Sequence, residues 1–227
     1  MITATYVDHM GSDLSVVNAA RVSFGKKSDW EWDEVEQRAG DGEWILQKIN
    51  KHFSDKDTKL IHYLAKHKHY SPFGHCFASF HIKAPIFVAR QLVKHEYLRM
   101  NEISRRYVDS EPEFYVPEVW RGRAKDKKQG SDGVVDEKFT DWQLFAYSLD
   151  TYKEMLAGGV APEMARMVLP QSMYTEWYWS GSMDAFANMC VLRLKEDTQY
   201  ETRLVAQQID KVMQELYPVS WQALVHE

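Results

Sequence analysis

A strand followed directly by a helix, in residues 75–95, constrains the fold more than any other part of the sequence. The segment HCFASFHIKA, residues 75–84, alternates apolar with polar or mixed side chains, which predicts a strand with one buried face. Pro85 opens the next segment, PIFVARQLVKH, at a position that suits the first turn of a helix. At 100° per residue, one side of this helix is apolar and the other is polar and cationic. The polar side carries Arg90, Gln91, Lys94 and His95.

The other periodic segments predict a helix-rich α+β chain. Strands are predicted for residues 2–10 and 172–182, and helices for residues 12–24, 57–67, 138–157, 161–169, 183–193 and 197–216. Residues 26–56 are charged, rich in Trp and interrupted by AGDG, and we interpret them as a helical insertion with a break. Residues 121–137 are charged and contain Gly, which is typical of an exposed, mobile loop. The whole chain, residues 1–227, is interpreted as a single domain.

Composition argues against several classes of protein. The net charge of -5 disfavours binding of nucleic acid over the whole surface, so any anion site has to be local. The two cysteines, Cys76 and Cys190, lie in apolar contexts, which favours buried, reduced thiols and a reducing compartment. No apolar run approaches the roughly 20 residues of a membrane span, and the N-terminus lacks the features of a signal peptide. We therefore expect a cytoplasmic protein without membrane or nucleic-acid partners.

The segment KHEYLRMNEISRRY, residues 94–107, concentrates cations in an acidic chain. Lys94, Arg99, Arg105 and Arg106 stand beside Asn, Ser and Glu side chains, a mixture that can bind a phosphate group through charged and neutral donors. The same pattern is compatible with a solvated basic surface. A nucleic-acid patch is the weaker alternative, because the chain as a whole is acidic.

Common metal and nucleotide motifs are missing from the sequence. The spacing of His67, His69 and His75 matches no common zinc pattern, so no metal site is predicted. Neither GxGxxG nor GxxxxGK[ST] occurs, and a dinucleotide would have to bind without a Rossmann or P-loop cradle.

Three blocks of the sequence resemble the flavin-dependent thymidylate synthases. Residues 67–107, HKHYSPFGHCFASFHIKAPIFVARQLVKHEYLRMNEISRRY, are similar to the central block of that family, whose signature has the form RHRxxSxNExSxRY. ARMVLPQSMYTEWYWSGSMDAFANMCVLRLKEDTQYE resembles its second block, and NAARVSF is also similar. The resemblance implies a homotetrameric α+β fold of helices and antiparallel sheet, with sites at subunit interfaces. It implies reductive methylation of dUMP to dTMP, with methylenetetrahydrofolate supplying the carbon and NADPH reducing a bound FAD.

The resemblance also implies roles for individual residues. Ser104, Arg106 and Arg166 match positions that hold the phosphate and sugar of dUMP, and Gln91 and Glu102 match other nucleotide contacts. Arg193 matches the arginine at the uracil edge, where a cation favours the polarised pyrimidine. Arg193 and Ser104 are the predicted catalytic-site residues, and Ser104 is expected to bind rather than attack, because no base is evident to activate it. The predicted cofactor-binding residues are Ser23, His69, Ser71, Lys94, His95, Glu96, Asn101, Glu102, Ser182 and Asn188.

The chain departs from the family signature at three charged positions. The RHR of the signature is KHE here, so that Lys94 keeps a charge and Glu96 reverses one. Arg99 replaces a serine, and Asp184 stands where an arginine is frequent in the family. These changes suggest a divergent branch, such as a viral one, acting in the cytoplasm of a bacterium or of a host cell.

Two alternatives to thymidylate synthesis remain open from the sequence. A changed flavin pocket would permit a flavin- and folate-dependent hydroxymethylase that acts on a pyrimidine nucleotide. A non-catalytic nucleotide-binding protein on the same scaffold is the other alternative.

Overall fold

A computed structural model describes residues 1–40, 43–125, 130–135 and 142–227. The strands are β1 (Thr3–Met10), β2 (Glu31–Arg38), β3 (Trp44–His52), β4 (Phe77–Pro85), β5 (Leu98–Glu102), β6 (Arg121–Arg123), β7 (Ser131–Val134) and β8 (Tyr174–Ser182). The α-helices are α1 (Asp13–Arg21), α2 (Asp55–Lys66), α3 (Ile86–Leu92), α4 (Trp142–Ala157), α5 (Pro162–Ala165), α6 (Met183–Arg193), α7 (Tyr200–Leu216) and α8 (Pro218–Trp221). Short 3-10 turns cover Val22–Phe24, Phe73–His75 and Arg166–Val168, and a π-helical turn covers Gln222–His226.

A four-stranded antiparallel sheet in the order β1-β4-β8-β5 forms the centre of the fold. Phe80 pairs with Trp179 and Ile82 with Trp177 across β4 and β8, and all four side chains are almost fully buried. Burial of each such side chain contributes about 1.5–3 kcal/mol. Phe186 of α6 closes this face by packing edge-on against Phe80 and Trp179 at ring distances of 5.3 and 5.5 Å. The antiparallel sheet with helices packed on it confirms the predicted α+β class.

The C-terminal helices tie the sheet to the N-terminal segment through buried polar bonds. The hydroxyl oxygen of Tyr217 lies 2.9 Å from the carbonyl oxygens of both Met10 and Phe77, which share its donated hydrogen bond. The carboxylate of Asp13 accepts from the backbone N–H groups of Val219 and Ser220 at 3.0 and 2.9 Å, at the start of α8. These bonds satisfy backbone groups that would otherwise be costly to bury.

Residues 26–56 contain an antiparallel hairpin of β2 and β3, so the prediction of helices in this segment was wrong. The AGDG sequence that we interpreted as a helix break begins at Ala39, whose N–H donates to the carbonyl of Glu43 at 2.7 Å, and its residues 41–42 lie outside the described residues. Acidic residues of β2 face basic ones of β3, as in the pair Glu34 and Lys48, and such cross-strand pairs favour a hairpin. Every residue of both strands is exposed.

The prediction of a loop over residues 121–137 was wrong in part, because β6 and β7 pair within it. Residues 126–129 and 136–137 of that segment lie outside the described residues, as do residues 138–141 of the predicted helix that follows. The structure also contains β5 inside the cationic segment, where we predicted no strand. The other predicted elements are present, although α3 ends at Leu92 and α5 continues as a 3-10 turn.

Both cysteines are buried and unpaired, as the sequence predicts. No helix in the described part of the chain is long and apolar enough to cross a membrane.

Candidate active site

Four of the predicted substrate-binding residues line one cavity of about 410 Å³, which we call the arginine cavity. Its walls include Glu102, Ser104, Arg106 and Arg166. The edge strand β5 ends at Glu102 and delivers the first three residues, whereas Arg166 comes from the turn after α5. The structure therefore brings Arg166 together with side chains that lie 60 to 64 positions earlier in the sequence, as the resemblance implies.

The arginines of this cavity keep donors available for a ligand. Arg106 uses Nε to donate to the hydroxyl of Ser104 at 3.1 Å, and Arg166 uses Nε to donate to the carbonyl of Glu163 at 3.2 Å. In the described residues, the terminal Nη groups of both arginines have no hydrogen-bond partner. Two guanidinium groups with free Nη donors match the geometry of a phosphate.

Glu102 is held at the wall of the arginine cavity by a residue that the sequence analysis missed. The hydroxyl of Thr175 in β8 donates to Oε1 of Glu102 at 2.6 Å. Arg105 also lines the cavity, but its guanidinium donates to the carbonyl of Ser110. Thr175 could have been identified only through the pairing of β5 with β8, which was not predicted.

A second cluster, the Arg193 network, lies at the end of α6. Nε of Arg193 donates to Nε2 of His95 at 3.0 Å, and Nη2 donates to the carbonyl oxygen of Gln91 at 3.1 Å. The side chain of Gln91 is fixed in turn by Thr202, whose hydroxyl donates to Oε1 at 3.2 Å, and by Gln199. This network joins three of the predicted site residues.

Burial and the neighbouring guanidinium set the charge of His95. Desolvation, followed by repulsion from Arg193, lowers the pKa of His95 to about 4. The imidazole is therefore neutral at pH 7, and because Nε2 accepts the bond from Arg193, the ring proton lies on Nδ1. Desolvation also lowers the pKa of Arg193, but a guanidinium remains charged in proteins.

A third cluster, the serine cavity, measures about 470 Å³ and lies beside the first turn of α6. Its lining includes Ser71, Arg99, Ser180, Ser182 and Asp184. Ser182 is the N-cap residue of α6, but its hydroxyl makes no capping bond. Oδ1 of Asp184 is buried and has no hydrogen-bond partner in the described part of the chain.

The remaining predicted cofactor-binding residues do not line these cavities. Lys94 and Glu96 lie in the turn between α3 and β5, where Tyr97 adopts a left-handed φ of 62°. His69 follows α2, and its ring lies edge-on to Tyr63 with centroids 6.1 Å apart. The predicted residues that are exposed and lie outside the two cavities are Ser23, His69, Lys94, Glu96, Asn101 and Asn188.

Comparison of the sequence with known proteins finds one family model and relatives that share one name. The family model described as thymidylate synthase complementing protein matches residues 5–219. A flavin-dependent thymidylate synthase of Thermus thermophilus is 40% identical over 222 residues, covering 96% of this chain and 73% of the relative. The enzyme of the same name from Kosmotoga olearia is 37% identical over 226 residues, covering 97% of this chain and 88% of the relative.

A solved structure has the same fold. The crystal structure of the UMP/dUMP methylase PolB of Streptomyces cacaoi, bound with 5-Br dUMP, superposes with a TM-score of 0.76. The two chains are 30% identical, and the match covers 98% of this chain and 94% of PolB.

Proposed function

Because the chain belongs to the family of flavin-dependent thymidylate synthases, it is a methyltransferase that converts dUMP to dTMP, and we propose which of its residues do so. The arginine cavity carries this assignment. Arg106 and Arg166 take the phosphate of dUMP through their free Nη donors, and Ser104 adds a hydroxyl. The neighbouring Glu102, held by Thr175, accepts from a hydroxyl or N–H of the nucleotide.

Arg193 acts on the pyrimidine ring. When C5 becomes nucleophilic, negative charge builds up on the ring oxygens, and a fixed cation at that edge lowers the energy of this state. Neutral His95 and the backbone carbonyl of Gln91 hold the guanidinium in place without neutralising its charge. The hydroxyl of Ser104 accepts from the backbone N–H and from Nε of Arg106, neither of which is a base, so its role is binding rather than nucleophilic attack.

The serine cavity fits part of the flavin. Ser71, Ser182 and Arg99 offer donors suited to phosphate oxygens, and the unpaired Oδ1 of Asp184 suits a hydroxyl of the ribityl or ribose chain. FAD, when bound, passes the hydride that reduces the transferred carbon to a methyl group. We assign NADPH as the source of that hydride and methylenetetrahydrofolate as the source of the carbon. The exposed residues His69, Asn101 and Asn188 and the partly buried His95 are proposed to contact these larger molecules.

The complete site requires more than one copy of the chain in this proposal. Among the described residues, none lines both the arginine cavity and the serine cavity, and Arg193 lines neither of them. A homotetramer in which clusters from different copies face one another would join them. Mixing equal amounts of Arg166→Ala chains and Arg193→Ala chains tests this arrangement. If the two arginines of a site come from different copies, about a quarter of the sites receive both intact arginines, and the mixture regains about a quarter of the original activity. Activity that stays at the level of the single variants would place both arginines of each site on one chain.

The product of the reaction tests the function directly. The purified protein is incubated with FAD, dUMP, methylenetetrahydrofolate and NADPH, and the nucleotide is identified by mass. Thymidylate with consumption of one NADPH per turnover is expected. A bound flavin with no product would instead support a non-catalytic nucleotide-binding protein.

A hydroxymethylated nucleotide is the second candidate product. The acidic side chains of Glu96 and Asp184 favour it, because both stand where cations are frequent in the resembling family, and they alter the surroundings of the flavin. Formation of that product without NADPH consumption would establish this alternative.

A further inference from the structure

A third cavity, larger than the two described above, has no role in the proposed reaction. We call it the aromatic cavity, and its volume is about 520 Å³. Its walls include Phe87, Tyr115, Trp120, Leu144, Phe145 and Glu201. A volume of this size and a mainly apolar, aromatic lining are typical of a small-molecule site.

Glu201 gives this cavity a specific polar group. The residue is only 2% exposed, and Oε1 accepts from the hydroxyl of Tyr115 at 2.9 Å and from the guanidinium of Arg121. Oε2 is buried and has no hydrogen-bond partner among the described residues. The hydroxyl of Ser172, on the same wall, is also buried without a partner.

The electrostatics of Glu201 indicate which groups Oε2 can accept. Burial raises the pKa of Glu201, but interactions with Arg121, with its own backbone N–H and with Tyr115 lower it by more, so the side chain is an anion at pH 7. An anion accepts hydrogen bonds and donates none. A buried acceptor without a partner is costly, and a ligand that donates to it removes that cost. Anionic ligands are disfavoured, because they would meet the carboxylate.

We propose that the aromatic cavity binds a planar heteroaromatic compound that carries an amino group, which donates to Oε2 of Glu201 while the ring lies between the aromatic side chains. The hydroxyl of Ser172 can donate to a ring nitrogen of the ligand, or it can accept the second hydrogen of the amino group. The neutral face of the ring matches Phe87, Tyr115 and Phe145, where offset or edge contacts between rings are favourable. This proposal does not depend on the reaction assigned above.

The aromatic cavity is one hydrogen bond away from the Arg193 network. Gln199 lines the cavity and accepts from the side-chain amide of Gln91, whose carbonyl oxygen holds Arg193. A ligand in the cavity therefore lies next to a residue assigned to the nucleotide site without occupying that site. Binding of dUMP and of the heterocycle should be compatible.

Two nearly isosteric probes isolate the hydrogen bond to Glu201 when the titration is run at about pH 9, where both quinoline nitrogens are unprotonated and the probes do not differ in charge. 2-Aminoquinoline has the amino donor, whereas 2-methylquinoline carries a methyl group of similar size in its place. Titration calorimetry of the full chain in saturating dUMP should show that 2-aminoquinoline binds about tenfold or more tightly, as expected for a hydrogen bond to a charged group. Equal affinities, no binding of either probe, or displacement of 2-aminoquinoline by dUMP would each overturn the proposal.

Glu201→Gln should remove the preference for the amino probe. Arg121 and Tyr115 hold the remaining carbonyl oxygen at the place of Oε1, which leaves the NH2 group at the place of Oε2, where it cannot accept. A thermal melt establishes that the variant is folded, and a folded variant that keeps the tenfold preference would contradict the proposal.

A variant outside the buried network keeps the test independent of Glu201. Leu144 lines the cavity from α4 but is 56% exposed, so Leu144→Trp can obstruct the cavity without disturbing the core. Both probes should lose at least tenfold in affinity. Tyr147→Trp, on the same helix at 73% exposure and away from the lining, is the matched control and should leave both affinities unchanged. Full binding to Leu144→Trp would place the probes elsewhere.

Discussion

Arg193 and His95 form a hydrogen bond of 3.0 Å in which the imidazole is the acceptor. The pairing joins the last turn of α6 to the turn that follows α3, 98 residues apart in the chain. It requires a neutral histidine, because an imidazolium has no acceptor and would repel the guanidinium. The low pKa of His95 therefore keeps the imidazole neutral, and the neutral imidazole holds Arg193 in position.

Stability should fall in acid because of this pair. The folded pKa of His95 is about 4, below its ordinary value of 6.5, so the unfolded chain binds a proton more readily between these values. The contribution is fully present above about pH 6.5 and is lost as the pH falls towards 4. Urea unfolding at several pH values should show a smaller loss over this window in His95→Gln than in the original chain. Identical pH profiles would show that His95 titrates normally in the folded state.

Arg193→Ala should reduce turnover by about 10²–10³-fold, as for loss of one preorganised charge-stabilising donor. Arg193 does not line the serine cavity, so the flavin absorbance of the purified variant should be unchanged. Arg193→Lys keeps the charge but not the two directed donors to His95 and Gln91. Its turnover should therefore lie between that of Arg193→Ala and that of the original chain. Loss of flavin together with activity would assign Arg193 to the cofactor instead of the pyrimidine.

Restoring the arginines of the signature should strengthen flavin binding. Lys94 and Glu96 are exposed in the turn before β5, and the double change Lys94→Arg with Glu96→Arg raises the net charge there by two, because Glu96→Arg replaces an anion by a cation. Fluorescence titration with FAD should give a lower Kd at low salt, with a difference that shrinks as salt screens it. Lys153→Arg with Glu154→Arg makes the same charge change on the exposed face of α4 and should have no effect. An unchanged Kd in both would indicate that Arg99 already supplies the charge.

Gly181→Ala should destabilise the edge of the sheet. A Cβ at this position would lie 2.5 Å from Leu98 Cδ2 and 2.8 Å from the carbonyl oxygen of Tyr97, inside van der Waals contact. Overpacking of this kind costs about 1–3 kcal/mol, and it would displace β5 from β8. Thermal melting should show the loss, and the affinity for dUMP should fall because β5 carries Glu102. Gly40→Ala, whose added Cβ meets nothing within 4 Å, should melt as the original does.

The β2–β3 hairpin should be removable without unfolding the domain. All residues of both strands are exposed, whereas the rings of Trp30 and Phe53, which flank the hairpin, already pack against each other with centroids 4.4 Å apart. Replacing residues 31–52 by a short Gly-Ser linker should therefore change the melting temperature by only a few degrees, since little apolar surface is lost. An isolated two-stranded hairpin is marginal in water, so its exposed apolar residues Val35, Ile45 and Ile49 need another surface. A change from larger to smaller assemblies on deletion, measured by light scattering, would identify that surface as another copy.

The strands of the sheet centre were predictable because burial on one face leaves a period of two in the sequence. Phe80, Ile82, Trp177 and Trp179 produce that alternation in β4 and β8. β5 was missed because it has five residues, lies at an edge and alternates only Leu98 and Met100 against polar groups. The hairpin was missed because both of its faces are exposed, so its pattern is set by cross-strand charge pairs that have no simple period.

The candidate site was predictable as a set of residue types and only partly as an arrangement. The resemblance implied a shared role for Ser104, Arg106 and Arg166, and these three residues line one cavity in the structure. The bond from Thr175 to Glu102 depends on strand pairing over 73 residues, and no local signal carries that information. Glu201 escaped notice for a similar reason, since a glutamate in the first turn of a helix has an ordinary explanation in the helix dipole.

The sheet order has a consequence for the order in which the protein acquires its site during synthesis. β1 and β4 pair with each other, so a hairpin-like unit can form once residues 1–85 have left the ribosome. In the described part of the chain, β5 pairs only with β8, so residues 98–102 have no partner strand until residues 174–182 emerge. A nascent or truncated chain that ends before β8 would carry the cationic segment as an unstructured, protease-sensitive stretch. The segment that carries Ser104 and Arg106 therefore follows a strand that cannot pair with β8 until residue 182 has been synthesised.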